Sequence, residues 1–303
     1  MSGISTNRTN ITLPSEVSQE ILQKTQTESA IMRLARQIVL PGRGLEIPVI
    51  TSDPTASWVG ETAAKPVSNP GLSTKQMLAY KLAVIVPFSD EFRRDAAALY
   101  DALVARLPLA LALKFDQTVI GNGDAPGEKF DTFAACTAQS LVASGGHTAY
   151  KGIVAAYTDI AEHNGSLNGF GLSPAGVGLL LGATDTSGRP LFLPSAVDGA
   201  INRILGAPMV ESRGLYKSGV APVGTGDSGT PAVVGVVGDW TQAMYGTVEG
   251  VQVRFADQTG LTINSTQVNL WEHNMFAVRA EIEVGFRADT NCFNLLTGAT
   301  PAA

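Results

Sequence analysis

Charged side chains are scarce in this chain of 303 residues. Asp, Glu, Lys and Arg make up 16% of it, against roughly 25% in an average soluble domain. Hydrophobic residues make up 45%, so the chain has enough apolar side chains to fold into a globular protein. A soluble monomer usually carries more surface charge than this. We therefore expect neighbouring molecules to cover much of its surface.

Cysteine and histidine are also rare. The two cysteines, Cys136 and Cys292, exclude a disulfide-dense scaffold and a zinc site of four thiolates. We expect both to be buried as small hydrophobic residues. His147, His163 and His273 lack the spacing of metal ligands. The sequence therefore predicts no metal and no cofactor.

The chain has neither a basic excess nor a long apolar run. Its net charge of −6 argues against a dedicated nucleic-acid-binding protein, because phosphate binding needs a basic surface. The first ten residues, MSGISTNRTN, hold no apolar core, so we expect no signal peptide. No run of about 18 uncharged apolar residues is present, so we expect no membrane span.

Two motifs suggest enzymes, but neither has the required context. Gly226-Asp227-Ser228-Gly229 resembles the nucleophile loop of chymotrypsin-like proteases. That serine needs a histidine base, and the upstream histidines lack the surrounding pattern. The glycine-rich run Gly121–Gly127 follows a predicted helix, whereas a phosphate-binding loop follows a strand. The sequence predicts no enzyme, with a serine hydrolase that uses Ser228 as the remote alternative.

The sequence predicts two helices and two strands in the N-terminal part of the chain. Ser15 is suited to cap a helix over 15–37, with Val17 and Ile21 on its apolar stripe. Leucines at i+4 spacing predict a long helix over 90–120, with a kink or break near Pro108. Strands are predicted over 45–50 and 76–88.

Residues 51–75 form a long excursion with three prolines, two glycines and little that builds a core. Such segments inside a globular chain are usually functional or disordered. The large apolar residue in this excursion is Trp58. On its own subunit it would be exposed, so the sequence favours a partner surface, although a local cover for the edge of the core stays open.

For the remaining part of the chain, the sequence predicts one long strand and several shorter elements. Every second residue from Phe276 to Phe286 is apolar, which predicts a strand with one buried face and one solvent face. On the solvent face, Glu281 and Glu283 are expected to pair with Arg279 and Arg287 across strands. The shorter elements are helices Ala149–His163 and Pro174–Gly182, strands Pro190–Leu193, Pro231–Gly238 and Thr247–Ala256, and a glycine-rich loop over 211–230.

Several segments together resemble the major capsid proteins of tailed bacteriophages, whose lambdoid-phage capsid fold is shared with encapsulins. The resemblance covers roughly residues 13–295, and the order and spacing of the segments carry it. The segments are Trp58-Val59-Gly60-Glu61 with Lys65-Pro66, Lys81–Asp95, Phe115-Asp116 followed by Gly121-Asn122-Gly123 and Pro126-Gly127, and Asn274–Phe293.

The resemblance implies an α+β capsid fold with four parts. The expected parts are an N-terminal arm with helix (1–37), a first peripheral segment (38–144) with an extended β-hairpin loop (51–78) and a spine helix (89–120), an axial domain (145–257), and a second peripheral segment (258–303). It also implies a non-enzymatic shell protein of the virion, assembled in the bacterial cytoplasm from pentamers and hexamers around double-stranded DNA. An encapsulin-type compartment is the alternative.

The resemblance further implies which partners and contacts to expect. The chain would bind itself, a portal, possibly a decoration protein and a separate scaffolding protein, since the first helix begins close to Met1. The packaged DNA would be held without sequence-specific binding. Contact candidates are Trp58, Glu61, Lys65, Lys75, Val17 and Ile21. Some relatives weld subunits by a Lys–Asn isopeptide bond, for which Lys65, Lys75 and Asn291 are the candidates here.

Overall fold

The computed structural model describes residues 23–42, 44–52, 54–61, 64–68, 71–90, 96–142, 148–185, 187–192, 203–223, 228–248, 250–263 and 266–301. The helices are α1 over 23–28, α2 Ala30–Leu34, α3 Ala96–Val119, α4 Ala149–Glu162 and α5 Pro174–Leu181. The strands are β1 Arg36–Val39, β2 Leu45–Ser52, β3 Gly71–Met77, β4 Tyr80–Ser89, β5 Thr137–Ser140, β6 Gly169–Leu172, β7 Arg203–Ile204, β8 Ala207–Glu211, β9 Val233–Gly238, β10 Ala243–Thr247, β11 Gln252–Ala256, β12 Gly260–Ile263, β13 Thr266–Asn269, β14 Met275–Ala288 and β15 Phe293–Thr297.

The long strand β14 organises a five-stranded sheet, in the order β1-β10-β14-β11 with β4 also paired to β14. β4, β10 and β11 all run antiparallel to β14. The predicted period of two is confirmed, because the alternate residues Phe276 to Phe286 are all buried. Most of the other face carries charged side chains. Arg287 differs from the prediction, since it is only 8% exposed.

A second sheet has six strands in the order β5-β15-β9-β6-β8-β7. The chain passes from the first sheet to the second through Asp289 and a 3-10 turn at Thr290–Cys292. Both sheets combine strands from distant parts of the sequence. β10 and β11, within 145–257, pair with β14, and β5 and β15, outside that range, join β9 in the second sheet. The domain boundaries stay a prediction.

Aromatic rings fill the centre of the largest core cluster. Phe133 packs against Phe286, Phe293 and Trp240, with ring centroids 4.6–6.0 Å apart. α4 and α5 contribute to a second cluster against the six-stranded sheet. A third cluster joins α3 to β14 and β11. These clusters fix both sheets to the spine helix.

The spine helix α3 is continuous through Pro108, so a break near Leu107 is wrong within the described part of the helix, while the alternative of a kink there stays a prediction. Leu107, Leu111 and Phe115 are buried as the i+4 spacing predicted. Burial of this stripe offsets the backbone hydrogen bond that proline removes. Residues 91–95 lie outside the described ranges.

The predicted helix over 15–37 is wrong at its C-terminal end. Ser29 caps a separate short helix, α2, by accepting a hydrogen bond from the Met32 N–H. Residues from Arg36 onward form β1, which pairs in parallel with β10. Tertiary pairing of this β-branched segment overrides the helical stripe. Residues 1–22, including Ser15, lie outside the described chain.

Several strand predictions also need correction. β3 begins at Gly71, inside the predicted excursion, and the predicted strand over 76–88 is divided between β3 and β4. The predicted strand Thr247–Ala256 is correct over Gln252–Ala256 and wrong as one continuous strand, because β10 ends at Thr247 and β11 begins at Gln252. The predicted strand at Pro190 is also wrong. Pro190 forms only an isolated bridge with Thr184, since its ring nitrogen cannot donate to a ladder.

The loop prediction over 211–230 is only partly correct. β8 extends to Glu211, and a 3-10 turn follows at Arg213–Leu215. Isolated bridges then join Lys217 to Val233 and Val220 to Thr230. The helices at Ala149 and Pro174 are confirmed to within one residue. No helix in the described ranges is long and apolar enough to cross a bilayer.

Candidate inter-subunit surface

β2 and β3 form an antiparallel ladder that is separate from both large sheets. The register runs from Leu45 opposite Met77 to Ser52 opposite Gly71. A two-stranded hairpin of this kind is only marginally stable in water by itself. The hairpin therefore depends on contacts at its base or on a partner.

The loop between β2 and β3 is exposed over 54–61 and 64–67, and Ser68 is partly buried. Trp58 is 105% exposed, and Val67 is 87% exposed. The Thr55 N–H donates a hydrogen bond of 2.9 Å to Ser68 Oγ, which joins the two arms of the loop. A large aromatic side chain fully in water is typical of a surface that a partner covers. The predicted exposure of Trp58 is thereby confirmed.

Arg287 holds the base of the hairpin against the body of the subunit. Its Nε and Nη2 donate to the Gln76 carbonyl oxygen at 2.9 and 2.7 Å. Its Nη1 lies 2.6 Å from Asp131 Oδ1. The loop after α3, the end of β14 and the end of β3 therefore meet at one guanidinium. A planar fork with several donors suits this role better than an ammonium group.

Lys75 contributes to the same base. Its Nζ donates to the Ala288 carbonyl oxygen at 3.2 Å and lies 4.0 Å from Asp131 Oδ2. The Ala288 N–H donates to that same carboxylate oxygen at 3.2 Å. Lys75 thus contacts its own chain, in contrast to the exposed Lys65 in the loop.

Arg287→Lys is expected to loosen the hairpin base without unfolding the subunit. Lysine keeps the charge but loses the two-pronged contact with Gln76, which we expect to cost about 1–2 kcal/mol. Hydrogen exchange of amides in β3 would rise, while exchange in β9 of the other sheet stays unchanged and serves as the control. Unchanged exchange in β3 would show that the guanidinium does not hold the hairpin.

A second buried polar cluster fixes the N-terminal segment to the spine helix. Asp116 on α3 is fully buried and accepts four hydrogen bonds. The donors are Ser29 Oγ (2.5 Å), Ser212 Oγ (2.7 Å), Ala30 N–H (3.1 Å) and Ile31 N–H (3.4 Å). Each carboxylate oxygen receives one hydroxyl and one backbone N–H. The cluster therefore joins α2, α3 and the turn at Arg213–Leu215.

Burial raises the pKa of Asp116 to about 6, although its four donors oppose this shift. Because this pKa exceeds the ordinary value of 3.8, the folded state takes up a proton as the pH falls below 6, before the unfolded chain does. The resulting stabilisation is fully present below about pH 4 and is lost as the pH rises through 6.

From pH 7 to pH 5 we therefore expect the free energy of unfolding to rise by about 1 kcal/mol relative to that of Asp116→Asn, which cannot titrate. Denaturant titration of both proteins at the two pH values measures this difference. A difference of the opposite sign would contradict the pKa direction.

The remaining predicted contact and cross-link residues lie in different parts of the chain. Glu61 and Lys65 are exposed in the hairpin loop, and Asn291 is exposed between the two sheets. The Asn291 N–H donates to Asp289 Oδ1 at 3.2 Å. Val17 and Ile21 lie outside the described residues. The structure therefore gathers three of the candidates, Trp58, Glu61 and Lys65, in one loop, while Lys75 lies at the hairpin base.

The candidate catalytic residues do not form a reactive site in the described ranges. Ser228 is exposed, and within those ranges no hydrogen bond joins it to His163 or His273. His147, Gly226 and Asp227 lie outside those ranges. No group of acidic, His and Cys side chains suited to a metal ion occurs there either.

The charged residues of β14 pair differently from the prediction. Glu281 and Glu283 both contact Lys81 Nζ on β4, at 3.1 and 3.4 Å. Arg279 Nε lies 3.6 Å from Glu281 on its own strand, and Arg287 pairs with Asp131. The acidic pair on β14 therefore binds Lys81 of the neighbouring strand, Arg279 pairs with Glu281 within its own strand, and Arg287 pairs with neither glutamate.

The cysteines are unpaired and sit where small hydrophobic residues are expected. Cys292 is buried in the largest core cluster, as predicted, whereas Cys136 is only partly buried and packs against that cluster. Burial raises the pKa of the Cys136 thiol to about 12. Neither thiol is therefore suited to act as a nucleophile.

An exposed apolar stripe on α4 was not predicted. Tyr150, Val154 and Tyr157 lie at i, i+4 and i+7 on its outer face, with exposures of 46%, 39% and 53%. A separate face of the same helix, with Ile153, Ala156 and Ile160, is buried. The sequence contains a signal for this exposed stripe, because apolar residues at helical spacing form two stripes on α4 and only one of them is needed for the core.

Comparison with known proteins identifies the family. The family model described as "Phage capsid family" matches residues 9–293, nearly the whole chain. This chain belongs to the phage capsid family. The resemblance drawn from the sequence is thereby confirmed.

Curated relatives of this capsid-family chain come from phages of different hosts. "Probable major capsid protein gp17" of Mycobacterium phage L5 is 31% identical, covering 94% of this chain and 89% of the relative. "Major capsid protein" of Staphylococcus phage 80alpha is 24% identical, covering 95% and 85%.

Solved structures confirm the predicted α+β capsid fold. A chain of Gordonia phage Cozz has a TM-score of 0.68 at 22% identity, covering 90% of this chain and 87% of that chain. A chain of Mycobacterium phage Cain has a TM-score of 0.69 at 20% identity, covering 91% and 92%. At these identities the likeness concerns the fold.

Proposed function

We propose that this chain is a major capsid protein that self-assembles through pentamers and hexamers into the icosahedral shell around the double-stranded DNA of a tailed phage. The observation that carries the proposal is the projecting β2–β3 hairpin with a fully exposed Trp58, on a chain of the phage capsid family. A structural neighbour titled "Capsid of native GTA particle computed with C5 symmetry" supports it, with a TM-score of 0.59 over 99% of this chain.

Each part of the fold has a role in this proposal. The hairpin lies over a neighbouring subunit, and the N-terminal arm with Val17 and Ile21 reaches another. The axial range 145–257 points toward the symmetry axes, and the spine helix and β14 build the peripheral wall. The net acidic subunit suits a container, because such a wall should not bind its DNA tightly.

The proposed partners are a portal, a separate scaffolding protein and a decoration protein. Expression of the chain, alone and with neighbouring phage genes, tests the proposal. Sedimentation and negative-stain electron microscopy should show closed shells in at least one of these conditions. Purely monomeric or amorphous material in all of them would contradict it.

Covalent cross-linking between subunits is testable in the same shells. Lys75 contacts its own chain, whereas Lys65 is exposed in the loop, and this supports Lys65 as the proposed donor toward Asn291 of a neighbour. We expect a single band at the monomer mass of 31.6 kDa in denaturing electrophoresis. A ladder that disappears in Lys65→Ala but persists in Lys75→Ala would instead identify Lys65 as the donor.

A further inference from the structure

A small pocket opens between β4, the C-terminal half of α3 and the loop that follows α3. Its volume is about 200 Å³, and its lining includes Tyr80, Leu82, Lys114, Phe115, Thr118 and Phe130. Pockets for small molecules usually measure roughly 300–1,000 Å³. This pocket is therefore too small for a cofactor, but its size suits one large side chain.

The wall of the pocket is aromatic and firmly built. The Tyr80 and Phe130 rings meet edge to face with centroids 6.2 Å apart, and Phe115 meets Phe130 in the same way at 6.3 Å. Tyr80 Oη accepts a hydrogen bond from the Lys129 N–H at 3.2 Å. A Cβ on Gly127 would approach the Tyr80 ring and hydroxyl to 2.6–2.8 Å, so glycine is needed for this packing.

The mouth of the pocket is cationic on one side. Lys114 is exposed and lines the pocket, and it forms no ion pair within the described part of the chain. An ammonium group above an aromatic face is attractive, and tryptophan is the best acceptor. Asp124 also lines the pocket. An indole with an acidic neighbour would suit this mouth, and Glu61 follows Trp58 by three residues in the hairpin loop.

The pocket lies beside the base of the hairpin, whereas Trp58 lies beyond its far end. Tyr80 follows β3 by three residues, and β3 itself has seven residues. At about 3.4 Å per residue, that strand carries the loop roughly 23 Å away from the base. Trp58 of an extended hairpin therefore cannot enter the pocket of its own chain.

We propose that the pocket formed by Tyr80, Phe115 and Phe130 receives Trp58 from the hairpin of a second copy of this chain. Because the projecting loop and its receptor pocket are two different surfaces of the subunit, copies joined in this way form a head-to-tail contact. Such contacts close into rings when the rotation allows. The inference rests on the proposed function and specifies the contact that would join neighbours within a ring.

Paired cysteines test the contact in assembled shells. In Val59→Cys/Thr118→Cys, mild oxidation should link chains into a ladder on non-reducing denaturing gels. Each single variant should stay monomeric on these gels. Because Cys136 and Cys292 are present in every variant, the single variants also show whether the native cysteines form disulfides. The matched control, Val59→Cys with Tyr157→Cys on the outer face of α4, should also stay monomeric.

The outcomes separate this inference from the proposed function. Shells of the double variant without a 59–118 ladder, or with an equal 59–157 ladder, would overturn the inference and leave the capsid proposal intact. Failure of the unmodified chain to assemble under every condition would instead overturn the capsid proposal and, with it, this inference.

If the double cysteine variant does not assemble, tryptophan fluorescence tests whether Trp58 enters the pocket of a second copy. In a Trp271→Phe background, the remaining tryptophans are Trp58 and the buried Trp240. Acrylamide quenching of Trp58 should fall about tenfold on assembly. Thr118→Phe, which fills the pocket, should lower shell yield as much as Trp58→Ala does. The variant that combines both substitutions should give the same yield as either one alone, because both remove the same contact. Normal assembly of Thr118→Phe with Trp58 protected would overturn the inference.

Discussion

Trp58→Ala is expected to lower the yield of closed shells at least tenfold and to leave the unfolding of the free subunit almost unchanged. Aromatic side chains at the centre of an interface commonly contribute about 2 kcal/mol or more, and about 1.4 kcal/mol already corresponds to tenfold in affinity. The loss is repeated at every contact in a shell. Because Trp58 is fully exposed in the subunit, its removal should change subunit stability by less than about 0.5 kcal/mol.

Thermal unfolding of the free subunit and sedimentation of shells measure the two effects in parallel. Trp58→Phe serves as the matched variant, since it keeps an aromatic ring and should restore part of the yield. Equal losses in subunit stability and in shell yield would show that Trp58 supports its own fold. Normal shell yield in Trp58→Ala would remove the hairpin from the assembly contacts.

Asp116→Ala is expected to destabilise the subunit by about 3 kcal/mol. The substitution leaves two serine hydroxyls and two backbone N–H groups without their acceptor in a fully buried site. Unsatisfied buried donors cost about 1–3 kcal/mol each, and the relief of burying a charge offsets part of the sum. Urea unfolding of the free subunit at pH 7 provides the measurement.

Two variants distinguish lost hydrogen bonds from lost packing at this cluster. Asp116→Asn keeps the shape of the side chain, but its amide NH2 group is a donor and cannot accept the hydrogen bonds that one carboxylate oxygen accepted. It should therefore destabilise the subunit almost as much as Asp116→Ala. Ser212→Ala removes one donor and should cost about 1 kcal/mol. Asp116→Ala within about 0.5 kcal/mol of the wild type would mean that the carboxylate does not hold α2 against α3.

Local patterns predicted the elements that depend on a single periodicity. β14 follows from its alternation of apolar residues, and the buried stripe of α3 follows from leucines four residues apart. The exposure of Trp58 could be predicted too, because its proline-rich surroundings offer no core. In these places the sequence neighbours alone determine burial.

Features that depend on distant partners could not be predicted in the same way. The donors to Asp116 lie 85–96 residues away in the sequence, and no local pattern marks a buried carboxylate. Arg287 shares the alternation of a solvent-facing residue, but the Gln76 carbonyl and Asp131 cover it. β1 continues a helical stripe and becomes a strand only because β10 offers a free edge.

The docking pocket and the hairpin base share this dependence on tertiary structure. Tyr80, Phe115 and Phe130 come from three separate segments, so the sequence shows three ordinary aromatic residues. The stripe on α4 differs, because its spacing is local and was available in the sequence. Which of the two apolar stripes on this helix is exposed, however, depends on the tertiary packing of α4.

A cryo-electron microscopy reconstruction of shells assembled from the purified chain tests the central claim most directly. The account predicts that residues 54–67 lie on a neighbouring copy, with the Trp58 ring enclosed by residues of that neighbour. A hairpin folded back onto its own subunit, with Trp58 covered by residues of the same chain, would contradict it.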